Sequence, residues 1–175
     1  MMTSRSNLEA IKALREKTSA SIGDVRSALE SSGGDESKAL ELLRKRGAAI
    51  AEKRQGRATG QGRVESYIHH DGRIGALVEV DCETDFVART AEFQQFCRDV
   101  AMHVTAMDPR YVRSDEAPAD QRRSPEALKT VCLLEQPFVK DQGTTVQDLL
   151  KALIAKTGEN VVIKRFVKFG VGESA

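Results

Sequence analysis

The sequence predicts an α+β protein: a three-helix module at the N-terminus, then an α+β core whose antiparallel sheet is covered by helices on one face. Three observations carry that prediction. Apolar residues recur at helical spacing three times within the first 47 residues, the period switches to two beyond Gly62, and a β-branched run over 160–171 follows one more helical pattern. With 175 residues, 40% of them hydrophobic, the chain suits one medium domain or two small ones and can bury a core without staples.

The helical module is taken as residues 1–47. Ser6-Asn7-Leu8-Glu9 reads as a capping box, and Leu8, Ile11 and Leu14 follow at helical spacing. Ser21-Ile22-Gly23-Asp24 repeats the start signal, with Ile22, Val25 and Leu29 as the next stripe. Gly33-Gly34 stops that helix; Asp35 caps a third, whose Ala39, Leu40, Leu42 and Leu43 face inward before Gly47 ends it. Residues 48–62 are rich in Ala, Lys, Arg and Gly and carry no apolar stripe, which suits a basic linker or a solvated helix.

The core is expected over 63–175. Val64, Ser66 and Ile68 alternate with polar neighbours, His69-His70-Asp71-Gly72-Arg73 supplies a turn, and Ile74, Ala76, Val78, Val80 and Cys82 alternate again, so this stretch reads as a hairpin. Glu79, Asp81 and Glu83 take the outer face of its second strand. Thr90 caps a long helix in which Phe93, Phe96, Cys97, Val100, Val104 and Met107 form one side. Residues 108–127 hold three of the four prolines and form a connector with at most a fragment of helix. Val131 to Val139, interrupted by Pro137, fits an edge strand or an extended segment. Thr145-Val146-Gln147-Asp148 opens a last helix that buries Leu149, Leu150, Leu153 and Ile154 and stops at Gly158, ahead of the strand over 160–171.

Composition excludes several classes. The 27 basic residues nearly cancel the 26 acidic ones, so this is neither a histone-like polycation nor an acidic disordered chain. No run approaches the roughly 20 apolar residues of a membrane span, and Met-Met-Thr-Ser-Arg-Ser lacks an apolar signal core. The expectation is a cytoplasmic protein, in preference to one of an organellar matrix, with no membrane partner. Cys82, Cys97 and Cys132 are odd in number and form no Cys-x-x-Cys, so they are expected to be reduced thiols rather than disulfides or zinc ligands.

Candidate chemistry is sparse. His69, His70 and Asp71 sit in a tight turn where adjacent side chains diverge, so no metal site is expected there. The chain has no Gly-x-x-x-x-Gly-Lys-Ser/Thr and no strand-linked Gly-x-Gly-x-x-Gly, so it is expected to bind neither nucleotide nor another cofactor directly. No Gly-x-Ser-x-Gly or cysteine signature accompanies the available nucleophiles, which makes an enzyme the weaker reading. Charge is unevenly placed: 44–63 carries seven basic residues and one acid, whereas 71–99 carries seven acids and three arginines. The basic segment makes an RNA-binding module a competing reading. It lacks interleaved aromatics for stacking bases, and such runs more often serve solubility.

His103 stands at the border of its helix's buried side. Asp85-Phe86, where the strand turns into a loop, admits two readings. One is a simple helix start with Phe86 folded into the core. The other is a projecting wedge, with Phe86 offering apolar area and Asp85 an acceptor or repulsive charge to a partner. With no Trp and only six Phe in the chain, Phe86 is a conspicuous outlier from the core pattern.

Several ordered stretches together resemble one family. They are Ile11-Lys12-Ala13-Leu14-Arg15-Glu16-Lys17-Thr18, Ala28-Leu29 with Gly34-Asp35, Thr84-Asp85-Phe86-Val87-Ala88, Ala101-Met102-His103-Val104, Leu134-Glu135-Gln136-Pro137-Phe138-Val139, and Lys156-Thr157-Gly158-Glu159-Asn160 through Arg165-Phe166. In these the chain is similar to short forms of bacterial or organellar translation elongation factor Ts. The resemblance implies a guanine-nucleotide exchange factor, not an enzyme, whose partner is the GTPase elongation factor Tu. It implies that the N-terminal module is ubiquitin-associated-like and docks on the GTPase through Lys12, Arg15, Ser21, Ile22 and Gly23. The exchange wedge it implies is Thr84, Asp85, Phe86 and Val87, with the Asp85-Phe86 pair entering between helices near the magnesium and phosphate site. His103 matches a further contact position. Two departures stand out: 108–127 is abbreviated, and Ile22-Gly23 replaces bulkier apolar residues. Short members tend to dimerise, so a homodimer through sheet elements such as the C-terminal strand is also implied.

Overall fold

The computed structural model of the chain describes residues 4–18 and 20–173, with side chains from residue 8 onward. It divides into two units, residues up to 57 together with 151–160, and 58–150 together with the remainder from 161.

The first unit contains α1 (Ser4–Thr18), α2 (Ile22–Ser31) and α3 (Glu36–Arg54). Local signals set their starts. The Ser21 hydroxyl accepts from the Asp24 N–H at 3.1 Å, and the Asp35 carboxylate accepts from the Lys38 N–H at 3.0 Å. The Ser6 side chain of the expected capping box lies outside the described residues. Ala10, Leu14, Val25, Ala28, Leu29, Ala39 and Leu43 form the core, edged by Ile11, Ala20, Leu40 and Leu42. Two expected core residues are in solvent instead. Leu8 is exposed, lying about 200° around α1 from the buried Ala10, and Ile22 occupies the exposed first position of α2.

Gly47 does not end α3, which runs on to Arg54 and takes in the first part of the expected linker. The reason is tertiary. The C-terminal half of α7 (Val146–Thr157) belongs to this unit, and a Cβ built on Gly47 would meet the Ala155 Cβ at 3.7 Å. Glycine here brings two helices close rather than breaking one. Ala51, Leu153 and Ile154 are buried, and the Asn160 amide donates to the Arg57 carbonyl at 2.8 Å.

In the second unit β1 (Gln61–Ile68) and β2 (Ile74–Cys82) form the expected antiparallel hairpin, and β5 (Val161–Gly170) adds to the other side of β2, giving the order β1-β2-β5. Gly72 takes the left-handed conformation the turn requires, at φ +69°, and the Asp71 carboxylate accepts from the Arg73 N–H. One face of the sheet is covered by α5 (Ala91–Met107), which contacts all three strands. Ala76, Val78, Val80 and Cys82 are buried together with Phe93, Phe96, Cys97, Val100 and Val104, whereas Met107 emerges at the helix end.

On β1 the apolar positions face the other way. Val64, Ser66 and Ile68 pair with Glu79, Leu77 and Gly75, and residues paired across a ladder share a face. They therefore lie opposite the buried Val78 and Val80. Alternation reveals a period of two without saying which phase points inward.

The connector after α5 is tucked in. It holds one-turn 3-10 segments at 114–116 and 121–123, and Val112 and Ala117 are buried. A helix not expected from the sequence, α6 (Pro125–Val131), starts with Ser124 capping the Ala127 N–H and Pro125 at the first helical position. Pro125 is thus a helix starter, not a breaker. The run expected to be extended up to Val139 contains the end of α6, a turn at 133–135 and the short strand β3 (Pro137–Phe138), which pairs with β4 (Asp141–Thr145). All three cysteines are buried, and none is in a disulfide.

Candidate functional site

The segment joining β2 to α5 is pinned at both ends by threonines. Thr84 caps α4 (Asp85–Ala88), its hydroxyl accepting from the Val87 N–H at 3.4 Å. Thr90 caps α5 by accepting from the Phe93 N–H at 3.3 Å, and its own O–H donates to the Val87 carbonyl at 2.8 Å. Val87 anchors the turn in the core, while Phe86 beside it is 81% exposed. Asp85 does start a helix, but Phe86 is not folded into the core. Its ring stands on a fixed single turn, an apolar surface worth about 1.5–3 kcal/mol to whatever buries it. The Asp85 carboxylate meets the Arg89 guanidinium one turn later, at 2.9 Å.

The other expected contact set lies in the first unit. Lys12, Arg15, Ser21, Ile22 and Gly23 are all exposed. Leu8, Lys12 and Arg15 fall at i, i+4 and i+7, one stripe of α1, so the exposed Leu8 extends that set. The Ser21 hydroxyl is engaged within the chain, donating to the Asp24 carboxylate at 2.6 Å. Among the described residues a Cβ on Gly23 would meet only the Ser21 oxygen at 3.8 Å, so none of them requires glycine there.

His103 is placed differently from the other expected contacts. It is 0% exposed, not half-buried, and both ring nitrogens are committed. The Val139 N–H donates to Nδ1 at 3.2 Å, which leaves the proton on Nε2 to be donated to Gln136 Oε1 at 2.9 Å. The Gln136 amide in turn donates to the carbonyls of Thr130 and Met107, and the Phe138 ring stacks on the imidazole with centroids 5.9 Å apart. Burial pulls the His103 pKa down, partly opposed by the Gln136 hydrogen bond. The residue ties the segment from Thr130 to Val139 to α5. An expected surface contact is thus a buried tether, because helical spacing cannot show that β3 covers this border position.

The remaining groups offer little catalytic chemistry. Burial, reinforced by Glu65, pushes the Cys97 thiol up to about 12, far from a nucleophilic thiolate. The His69 and His70 rings lie against each other, centroids 4.3 Å apart. Among the described residues no group of three or more His, Cys, Asp or Glu side chains can hold a metal ion, and no helix is long and apolar enough to cross a membrane. In the basic segment, Lys45 pairs with Glu41 at 2.7 Å, Arg63 with Glu65 at 2.6 Å, and Arg46 reaches Asp24 at 4.0 Å. Part of the charge offered to phosphates is therefore spent within the chain.

One surface went unseen in the sequence. On the sheet face away from α5, Ile68 (70% exposed) and Phe169 (67%) join Leu77 and Val171 around a shallow apolar hollow of about 410 Å³, and the exposed Val167 lies on the same face. Only strand register could reveal it, because its residues come from three separate strands.

Comparison with known proteins supplies independent information. A family model described as Elongation factor TS matches residues 8–127 and 121–173. The protein named Elongation factor Ts of Carboxydothermus hydrogenoformans is 45% identical over 192 aligned positions, spanning 94% of this chain and 88% of that protein. Its namesake in Rubrobacter xylanophilus is 45% identical, spanning 93% of this chain and 97% of the relative. That of Thermotoga petrophila is 43% identical, spanning 95% and 96%.

Proposed function

The chain belongs to the elongation factor Ts family and serves translation elongation, and on that premise we propose that it is the guanine-nucleotide exchange factor of elongation factor Tu. The single observation that carries this reading is Phe86, an exposed aromatic fixed on a one-turn helix between two threonine caps. Thr84, Asp85, Phe86 and Val87 form the exchange wedge. Thr84 and Val87 hold the turn, Phe86 supplies apolar area, and Asp85 presents a carboxylate toward the magnesium and phosphate site.

Exchange needs no catalytic residue. If this protein and GDP each bind the GTPase and weaken one another, the weakening is mutual by linkage. About 1.4 kcal/mol of coupling changes affinity tenfold, and burying one Phe supplies about 1.5–3 kcal/mol toward distorting the nucleotide site. GDP then leaves faster, and GTP refills the site and displaces the factor. No bond is made or broken, no cofactor is needed, and the work is done in the cytoplasm. Lys12, Arg15, Ser21, Ile22 and Gly23 supply affinity from the first unit, with Leu8 on the same stripe.

The protein also pairs with itself. The exposed face of the three-stranded sheet is apolar along Ile68, Leu77, Val167 and Phe169, and two such faces related by a two-fold axis make a sandwich that removes them from water. Of the elements named by the resemblance, β5 contributes most of that face.

Stopped-flow release of a fluorescent GDP analogue from purified elongation factor Tu tests the exchange reading. The parent protein accelerates release; Phe86→Ala loses roughly 10- to 150-fold of that acceleration, the range spanned by burial of one Phe. Because Phe86 is exposed, the variant unfolds within about 0.5 kcal/mol of the parent in a thermal melt. Undiminished acceleration by a folded Asp85→Ala, Phe86→Ala double variant overturns the wedge. Equal release with and without the parent protein overturns exchange altogether.

A further inference from the structure

Resting on the exchange reading above, we propose that Arg89 is a positioning residue for exchange, holding the Asp85 carboxylate beside Phe86 so that the wedge arrives preformed. Between Arg73 and Arg98 the sequence carries five carboxylates, on Glu79, Asp81, Glu83, Asp85 and Glu92, and one basic residue, Arg89. Of those five, Asp85 is the one to which the structure gives the Arg89 guanidinium, with Nη2 at 2.9 Å from Oδ2.

The backbone makes the same attachment. The Arg89 N–H donates to the carbonyls of Asp85 and Phe86, at 3.2 and 3.3 Å, closing the one turn of α4. Backbone and side chain of Arg89 thus both terminate on the two wedge residues. The side chain is 80% exposed, so it has no role in the core. An i, i+4 acid–base pair with the acid N-terminal is the favourable orientation on a helix. Left alone, the Asp85 side chain would have to be ordered during docking. Held by Arg89, it is ordered beforehand, and the association bears less of that cost.

The size of the effect follows from the pair's exposure. Solvent-exposed helical ion pairs contribute little, so the expected coupling is about twofold in rate or affinity and no more. It also fades with salt, because exposed charges are screened within about 8–10 Å at physiological ionic strength.

A double-mutant cycle in the GDP-release assay tests this, using full-length protein titrated against elongation factor Tu. Arg89→Ala, Asp85→Asn and the combined variant are compared with the parent, and Arg89→Lys is run beside them. Arg89→Ala is expected to raise the concentration giving half-maximal acceleration about twofold in the parent background and to change nothing in the Asp85→Asn background. Arg89→Lys retains most of the parent's behaviour, and the Arg89→Ala loss shrinks as KCl is raised from about 0.05 to about 0.5 M. Unchanged thermal melts for all four variants exclude a folding effect. The proposal is overturned by an equal loss in both Asp85 backgrounds, which would make Arg89 a contact in its own right, or by no loss in either. A parent protein that leaves GDP release unaltered overturns the exchange reading and this proposal together, whereas an active parent with no coupling overturns this proposal alone.

Discussion

Phe86 and His103 occupy opposite extremes of solvent access, and each reveals what a side chain is for. Phe86 leaves an apolar ring in water, with Val87 beside it already serving as the local anchor. His103 gives up hydration entirely and recovers it through Val139, Gln136 and the ring of Phe138. Removing such a side chain strands the Gln136 carbonyl oxygen and the Val139 N–H, so His103→Ala should cost about 2–4 kcal/mol in urea unfolding. Its pH dependence is equally definite. The folded imidazole titrates below its ordinary value of 6.5 and the unfolded one at that value. Between those two points the unfolded state binds more protons, so stability falls as pH drops below about 6.5 and the loss levels off beneath the folded pKa. Urea midpoints measured down to about pH 5 should fall less steeply for His103→Gln than for the parent, since that variant has no proton to take up. A steeper slope for the variant would contradict a buried neutral histidine.

Among the elements, those opened by their own residues were legible. Ser21, Asp35 and Thr90 cap the helices their spacing announces, because the cap and the N–H it satisfies lie within three residues. The hairpin at His69–Arg73 was legible for the same reason. Elements set by distant partners were not. Gly47 looks like a stop until Ala155 is seen against it, whereas the start of α6 at Ser124-Pro125 is itself a local signal, hidden among the prolines that mark 108–127 as a connector. Gly47 yields a test of that account. Its added Cβ would sit at 3.7 Å from the Ala155 Cβ, an ordinary contact, so Gly47→Ala should stabilise the protein by about 0.5–1 kcal/mol through helix propensity alone. Gly47→Leu has no room for its longer side chain against α7 and should destabilise. Chemical denaturation of the two variants reads both signs. Stabilisation by both would mean the helices do not meet there.

For the whole molecule, the open face of the three-stranded sheet is the surface on which the proposed self-pairing rests. Ile68, Leu77, Val167 and Phe169 lie on one surface only because β1, β2 and β5 are registered as they are. If two copies join there, Phe169→Asp buries a charge at the centre of the seam, and sedimentation velocity should show the parent as a dimer and the variant as a monomer of unchanged fold. A monomeric parent would overturn pairing without touching the wedge. The first unit has a comparable dependence on sequence-distant residues, since 151–160 group with the residues up to 57. From sequence alone come the fold class, the helix caps, the hairpin and the family resemblance, and Phe86 is already visible there as an outlier. All of these rest on contacts within a few residues or on patterns along the chain. Only the folded chain decides that Phe86 points to solvent, that His103 is an internal tether, that Arg89 holds Asp85, and that β1 turns its apolar positions away from α5. Each of these depends on which element covers which face, and a period along the chain records the spacing of a face but not what lies against it.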